Sequence, residues 1–126
     1  MPKYCIHEHW ASHHHFDLRL AMEGVAKSWA VPKEPPKVEG VKRLAIQVDD
    51  HSIKYMNFEG QIKEGHYGAG KVKIWDSGTY KLLERTPNKI LMNLNGRKLK
   101  GLYELVRFRQ SGEKNWLFFK KKKASS

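Results

Sequence analysis

The chain has 126 residues, enough for one domain with a real core and too few for two. Its 24 Lys and Arg against 13 Asp and Glu leave a net charge of +11, which favours polyanionic partners, nucleic acid first, over membrane surfaces. The single Cys5 excludes an internal disulfide and a cysteine-based zinc cluster, and no secretory signal or membrane-length apolar run is present, so a cytoplasmic location is expected.

In chain order, Tyr4-Cys5-Ile6 reads as a short strand, with His7 and His9 alternating on its other face. The stretch His9-Trp10-Ala11-Ser12-His13-His14-His15-Phe16-Asp17-Leu18-Arg19-Leu20 is the most informative. From His15 on, polar and apolar residues alternate strictly, the mark of a half-buried strand. Phe16, Leu18 and Leu20 supply one face; His15, Asp17 and Arg19 line the other, with same-face neighbours about 6.5–7 Å apart. A turn could fold His9 back beside them. Two imidazoles and a carboxylate suit Mn, Fe, Co or Zn and leave coordination positions open. Arg19 has no acceptor to offer a metal but matches an anion, ideally a phosphate on the same ion. On spacing alone, a histidine-rich loop followed by an ordinary amphipathic strand stands equally well.

Met22-Glu23-Gly24 reads as a turn, and Val25 to Val31 as the hairpin partner of the preceding strand. Pro32, Pro35 and Pro36 make the next segment a loop. A second alternating strand follows from Lys42 to His51. Leu44, Ile46 and Val48 form its apolar face, with Arg43, Gln47, Asp49 and His51 opposite. Two strands with the same outer chemistry suggest that they pair or face each other across a cleft. The glycine-rich Gly65–Gly70 lacks the Gly-Lys-Ser/Thr ending of a P-loop and reads as tight turns or close backbone approach. His66 within it has no partner. Asp76-Ser77-Gly78 predicts a hairpin loop between strands at 71–75 and 79–83, and Asn95-Gly96 predicts another between 89–94 and 98–105. Asn115–Lys120 forms a last strand, and residues 120–126 a basic flexible tail. With no long helix, the expected fold is all-β and mainly antiparallel: a small closed or nearly closed barrel over residues 1–119, with long loops and at most short helices.

With these residues laid out, the chain resembles the 3′-phosphoesterase domain of bacterial DNA ligase D, in its small stand-alone form. The resemblance rests on His9-x-Ala11-x-x-x-His15-x-Asp17-x-Arg19-Leu20, Gly24, Ser28-Trp29-Ala30-Val31-Pro32-Lys33 and Lys42-Arg43-Leu44-Ala45. It continues through Asp50-His51 with Tyr55, Phe58-Glu59-Gly60, Glu64-Gly65-x-Tyr67-Gly68-Ala69-Gly70 and Trp75-Asp76-x-Gly78. It implies a metal-dependent enzyme that removes a 3′-terminal ribonucleoside from DNA and then the 3′-phosphate, leaving a ligatable 3′-hydroxyl. The implied cofactor is manganese, with cobalt or zinc as alternatives, held by His9, His15 and Asp17. Arg19, His51 and Tyr55 would surround the phosphate, with Ser28, Lys33 and Arg43 as further substrate contacts and His7 and Asp49 behind the ligands. Implied partners are DNA 3′ ends at breaks and nicks, with a separately encoded ligase and end-joining factors.

Some residues depart from the family pattern. Eight residues precede His9, where bacterial members carry a longer segment used in ribonucleoside removal, so a weaker first step is expected. His7 stands for the usual Gln, Asp49 for Glu, and Glu34 and Lys63 for a loop Gly and Pro. His13 and His14 replace a basic-then-apolar pair and read as surface residues. Two other readings are a non-catalytic basic barrel that binds nucleic-acid ends around a structural metal, and a non-haem iron oxygenase. The density of Lys and Arg, and the lack of a distal third histidine at suitable spacing, disfavour the oxygenase.

Overall fold

Among residues 1–66 and 68–122, which the computed structural model describes, the alternating segments become nine strands. These are β1 Lys3–Trp10, β2 His14–Met22, β3 Val25–Val31, β4 Lys42–His51, β5 Gly60–Ile62, β6 Gly70–Thr86, β7 Lys89–Gly96, β8 Lys100–Arg107 and β9 Asn115–Lys120. Neighbours run antiparallel in the order β1-β2-β3-β4-β9-β8-β7-β6, and β6 pairs back onto β1. Eight strands therefore close a barrel, and β5 adds to β6 from outside. Closure removes the unpaired edges that short strands otherwise present. The only helical pieces among the described residues are two 3₁₀ turns, Ile53–Asn57 and Arg109–Ser111. The all-β barrel expected from the sequence is the fold.

The interior is filled by alternate residues of each strand: Tyr4 and Ile6 from β1, Phe16, Leu18 and Leu20 from β2, Trp29 from β3, and Tyr103 and Phe118 from β8 and β9. Trp29 and Trp116 meet edge to face at 6.0 Å. Large side chains on some strands require small ones opposite, and β4 supplies Ala45, paired in register with Trp116. This reverses the expected orientation of β4. Leu44 is 37% exposed, Val48 lies on the outer wall, and Gln47 turns toward the core to accept the Trp116 indole N–H at 3.3 Å. Nor do β2 and β4 pair, because β3 lies between them.

Glu23 and Gly24 both take positive φ, 57° and 81°, the conformation of a two-residue hairpin between the paired Met22 and Val25. The loop expected at Asp76-Ser77-Gly78 is absent; these residues sit within the continuous 17-residue β6. Their turn-like composition has other causes. A Cβ on Gly78 would lie 2.1 Å from the Asn95 carbonyl oxygen, so only glycine lets β7 approach there. The Asp76 carboxylate is buried and accepts the backbone N–H groups of Arg97, Lys98 and Leu99 at 2.8, 3.0 and 3.0 Å, together with the Tyr4 hydroxyl. The β7–β8 hairpin exists as expected, but Asn95 and Gly96 belong to the strand; Arg97 and Lys98 make the turn, closed by Gly96 N–H donating to the Leu99 carbonyl. Lys120 ends β9, and the Lys121 N–H donates to the Leu102 carbonyl. The last four residues of the expected tail, and Tyr67, lie outside the described residues.

Candidate functional site

Because Phe16, Leu18 and Leu20 face inward, His15, Asp17 and Arg19 face out of the barrel. The turn after Trp10 brings β1 alongside in a register that sets His9 opposite His15, His7 opposite Asp17 and Cys5 opposite Arg19. This outer face is nevertheless covered: His7 is 0% exposed, Arg19 3% and Asp17 6%. Its cover is the Ile53–Asn57 turn, whose Met56 packs against Cys5 and Ala26 in a small apolar cluster separate from the barrel interior. Ser52 starts that turn by accepting the Tyr55 N–H.

One potential ligand atom each from His9, His15 and Asp17 lie within 4.8 Å of one another. His9 Nδ1 is 3.6 Å and His15 Nε2 3.2 Å from Asp17 Oδ2. The remaining ring nitrogens are held by backbone carbonyls. His9 Nε2 donates to Ala69 at 3.2 Å and His15 Nδ1 to His13 at 2.8 Å. Such bonds fix ring orientation and turn the other nitrogen of each ring toward Asp17, where it offers a lone pair to an ion once any proton it carries is displaced. Gly68 permits this close approach of the 65–70 loop, since a Cβ there would already touch the His9 ring. Burial pushes the Asp17 carboxyl up, but hydrogen bonds from His15 and His9 and the charge of Arg19 outweigh it and hold the group well below the usual carboxylate range. The hydrogen bond with Asp17 in turn raises His15. Two oriented imidazoles and an ionised carboxylate form a donor set that fits a divalent ion.

Arg19 is held on three sides. Its Nε donates to His7 Nδ1 at 2.9 Å, its Nη1 to Ser28 Oγ at 2.8 Å, and its Nη2 sits 3.5 Å from Asp17 Oδ2. Ser28 Oγ donates its own hydrogen bond to the Ala26 carbonyl at 3.0 Å, and His7 Nε2 donates to Phe58 O at 3.0 Å. Burial first, then the adjacent guanidinium, lowers His7 to about 4, so it is a neutral acceptor for Arg19 at physiological pH. The Tyr55 ring lies 4.9 Å from the guanidinium carbon and stacks between His51, at 4.7 Å, and Phe58, at 5.3 Å. A bulge brings His51 to this face: three residues of β4 span from Val48 to His51 where β3 advances two, from Ser28 back to Ala26. Burial and Arg19 lower His51, and burial raises Tyr55.

His9, His15, Asp17, Arg19, His51 and Tyr55 thus line one cavity of about 370 Å³, walled by Ala11, Ala30, Val48, Ile62 and Gly68. A model of the DNA Ligase D 3′-phosphoesterase domain matches residues 7–107. The chain belongs to that family. It is similar to the multifunctional non-homologous end joining protein LigD of Pseudomonas aeruginosa, 43% identical over 126 aligned positions covering 96% of this chain and 15% of the relative. The multifunctional non-homologous end joining DNA repair protein LigD of Mycobacterium tuberculosis H37Rv is 46% identical over 82% of this chain and 14% of its own length. The chain therefore spans only a small part of these relatives.

Of the other residues singled out from the sequence, Ser28 and His7 stand directly behind Arg19. Arg43 is turned away, its Nε donating to the Glu34 carbonyl at 2.9 Å. Lys33 and Asp49 are exposed and outside the cavity wall. Sequence reasoning missed the carbonyls of His13, Phe58 and Ala69, because a backbone acceptor has no side-chain signature. Phe58 and Ala69 were visible only as parts of family motifs. Glu59, quoted for the same reason, accepts the Ile74 N–H at 2.8 Å and ties the segment after Phe58 to β6.

Proposed function

We propose that the protein is a divalent-metal-dependent DNA 3′-end-processing phosphoesterase of non-homologous end joining, which removes a 3′-terminal ribonucleoside and then the 3′-phosphate. The observation that supports this most is the convergence of three ligand atoms within 4.8 Å in the same cavity as a buried, pre-oriented guanidinium. His9, His15 and Asp17 would hold the ion, manganese first and cobalt or zinc as substitutes. When bound, it supplies Lewis-acid neutralisation of phosphoryl oxygens and a means of making water nucleophilic at neutral pH.

The chain's own groups do the rest. Of the five N–H donors of Arg19, three face His7, Ser28 and Asp17, which leaves one on each terminal nitrogen to meet two phosphate oxygens. His7 and Ser28 thereby fix the fork before substrate arrives. Burial and Arg19 hold His51 below the ordinary histidine value in the free protein; a bound phosphate offsets Arg19 and lets the ring take up a proton and deliver it to the leaving oxygen. Tyr55, kept un-ionised, offers a neutral hydrogen bond.

Arg19→Lys is expected to lose about 10²–10³-fold in rate, nearly as much as Arg19→Ala, because an ammonium cannot bond His7, Ser28 and two phosphate oxygens at once. Rates with manganese at saturating DNA check this; a lysine variant near wild-type would show that only the charge matters. Manganese affinity is also expected to fall with acidification. The raised His15 holds a proton that the ion must displace, so weakening begins above the ordinary histidine value and reaches at most about tenfold per pH unit for each proton displaced. Manganese titrations from alkaline to mildly acidic pH give the slope; a flat response would contradict histidine ligation.

The function itself is tested with a primer–template ending in 3′-phosphate, incubated with manganese or with EDTA. Metal-dependent release of inorganic phosphate is the expected result. DNA that is bound yet unchanged after long incubation would favour the non-catalytic end-binding barrel.

A further inference from the structure

At one end of the barrel, next to the metal ligands but on the opposite strand faces, lies a continuous run of rings that the chemistry above does not use. Trp10 and His14 are paired in register immediately beyond the His9–His15 pair. Their rings stack at 5.5 Å and 13°. His14 then meets Phe16 at 5.3 Å, and Phe16 meets Trp75 edge-on at 5.6 Å. Lysines are interleaved with the rings: Lys71 Nζ is 5.5 Å from the Trp10 centroid, and Lys98 and Lys37 lie 4.3 and 5.5 Å from Trp75. Glu8 fixes the His14 ring through a 2.8 Å contact with Nε2, and Glu34 sits 3.2 Å from Lys37.

A run built only to close the barrel would bury its outer members. Phe16 is buried, but Trp10 is 39% exposed and His14 is exposed beside it. The surface is also continuous with the catalytic cavity. Trp10 lines a shallow trough whose Ala11 and Gly68 are shared with the cavity around His9, His15 and Asp17. Exposed Trp10 and His14 and half-buried Trp75, interleaved with ammonium groups, match single-stranded nucleic acid, in which bases stack on rings while phosphates meet cations, without regard to sequence. A duplex hides its base faces and offers no such match except at its end.

We propose that Trp10, His14 and Trp75, with Lys71, Lys37 and Lys98, form a stacking track for unpaired nucleotides of a DNA strand next to the processed end. The proposal rests on the reading of the cavity as a DNA 3′-end site. Trp10 is the anchor because it is a large aromatic that is 39% exposed and adjoins the shared trough. The track positions DNA and takes no part in phosphate chemistry.

The test uses the full chain in EDTA, with a fluorescent short oligothymidylate and a blunt duplex as probes and anisotropy as readout. Trp10→Ala is expected to weaken oligothymidylate binding roughly tenfold, Trp10→Phe to stay within about threefold of wild type, and duplex binding to change less than about twofold. Oligothymidylate affinity unchanged by Trp10→Ala, an equal loss for both probes, or no oligothymidylate binding by the wild type would each overturn the track. Manganese-dependent phosphate release by the wild type from a 3′-phosphorylated primer–template is measured in parallel. If release is absent while the Trp10 effect holds, the esterase reading fails and the rings stand only as a single-strand-binding surface with no processed end beside it; if release occurs without the Trp10 effect, only the track fails.

Discussion

Replacing His9, His15 or Asp17 singly by alanine is expected to reduce manganese-dependent phosphate release by more than about a hundredfold while the barrel stays folded. Loss of an outer partner of a metal ligand typically costs about 10–100-fold, and loss of a ligand costs more. Here the three donors are the entire group of His, Cys, Asp and Glu found close enough to share an ion among the described residues, so no neighbour can take over. The fold should survive because all three lie on the outer face, away from the Trp29–Trp116 interior. Asp17→Ala is the most disturbing, since it also removes the carboxylate beside Arg19. Phosphate release and thermal unfolding measured on the same preparations separate the two effects. Near-normal release from all three variants with manganese would remove the metal centre from the account.

The largest effect on stability is expected at a residue far from the chemistry. Asp76→Ala should cost about 3–5 kcal/mol, on the order of 10–20 °C in melting temperature for a domain of this size. One carboxylate satisfies three backbone N–H groups of the β7–β8 turn and the buried Tyr4 hydroxyl on β1. Alanine leaves the three N–H groups without that acceptor and the Tyr4 hydroxyl with only the Leu99 carbonyl at 3.4 Å, and it loosens β6, the strand that closes the barrel against β1. The phenol contact is consistent with the strongly raised Tyr4, for which burial is the larger cause and Asp76 the second. A melting temperature within a few degrees of wild type would show that the turn is held by its own backbone.

These two sites illustrate what was legible before the structure. His15 to Leu20 announced its strand, its inward face and its outward chemistry because period-two alternation records burial directly. The return of His9 needed only a turn, and Ala11 to His13 provides it. Asp76-Ser77-Gly78 misled because a buried carboxylate capping a distant turn, and a glycine making room for the Asn95 carbonyl, have the composition of a loop. β4 misled for a similar reason. Its small Ala45 is paired with Trp116, whereas the larger Leu44 is exposed and Val48 lines the outer cavity, so alternation alone pointed the strand the wrong way. Bulges then shift the parity, as at Val48–His51, and a one-residue insertion leaves no mark in the sequence. The roles of His51 and Tyr55 came from family resemblance; the His51–Tyr55–Phe58 stack beside Arg19 gives those positions a shared geometry.

The central claim is that one metal-centred cavity processes DNA 3′ ends. Its most direct test uses two 5′-labelled primer–templates, one ending in a single ribonucleotide and one in a 3′-phosphate, each incubated with manganese or EDTA and resolved on a sequencing gel. Conversion of both to a 3′-hydroxyl, abolished by EDTA, is the predicted result. If both ends remain unchanged while the DNA is retained by the protein, the account is contradicted and the barrel is a binding module.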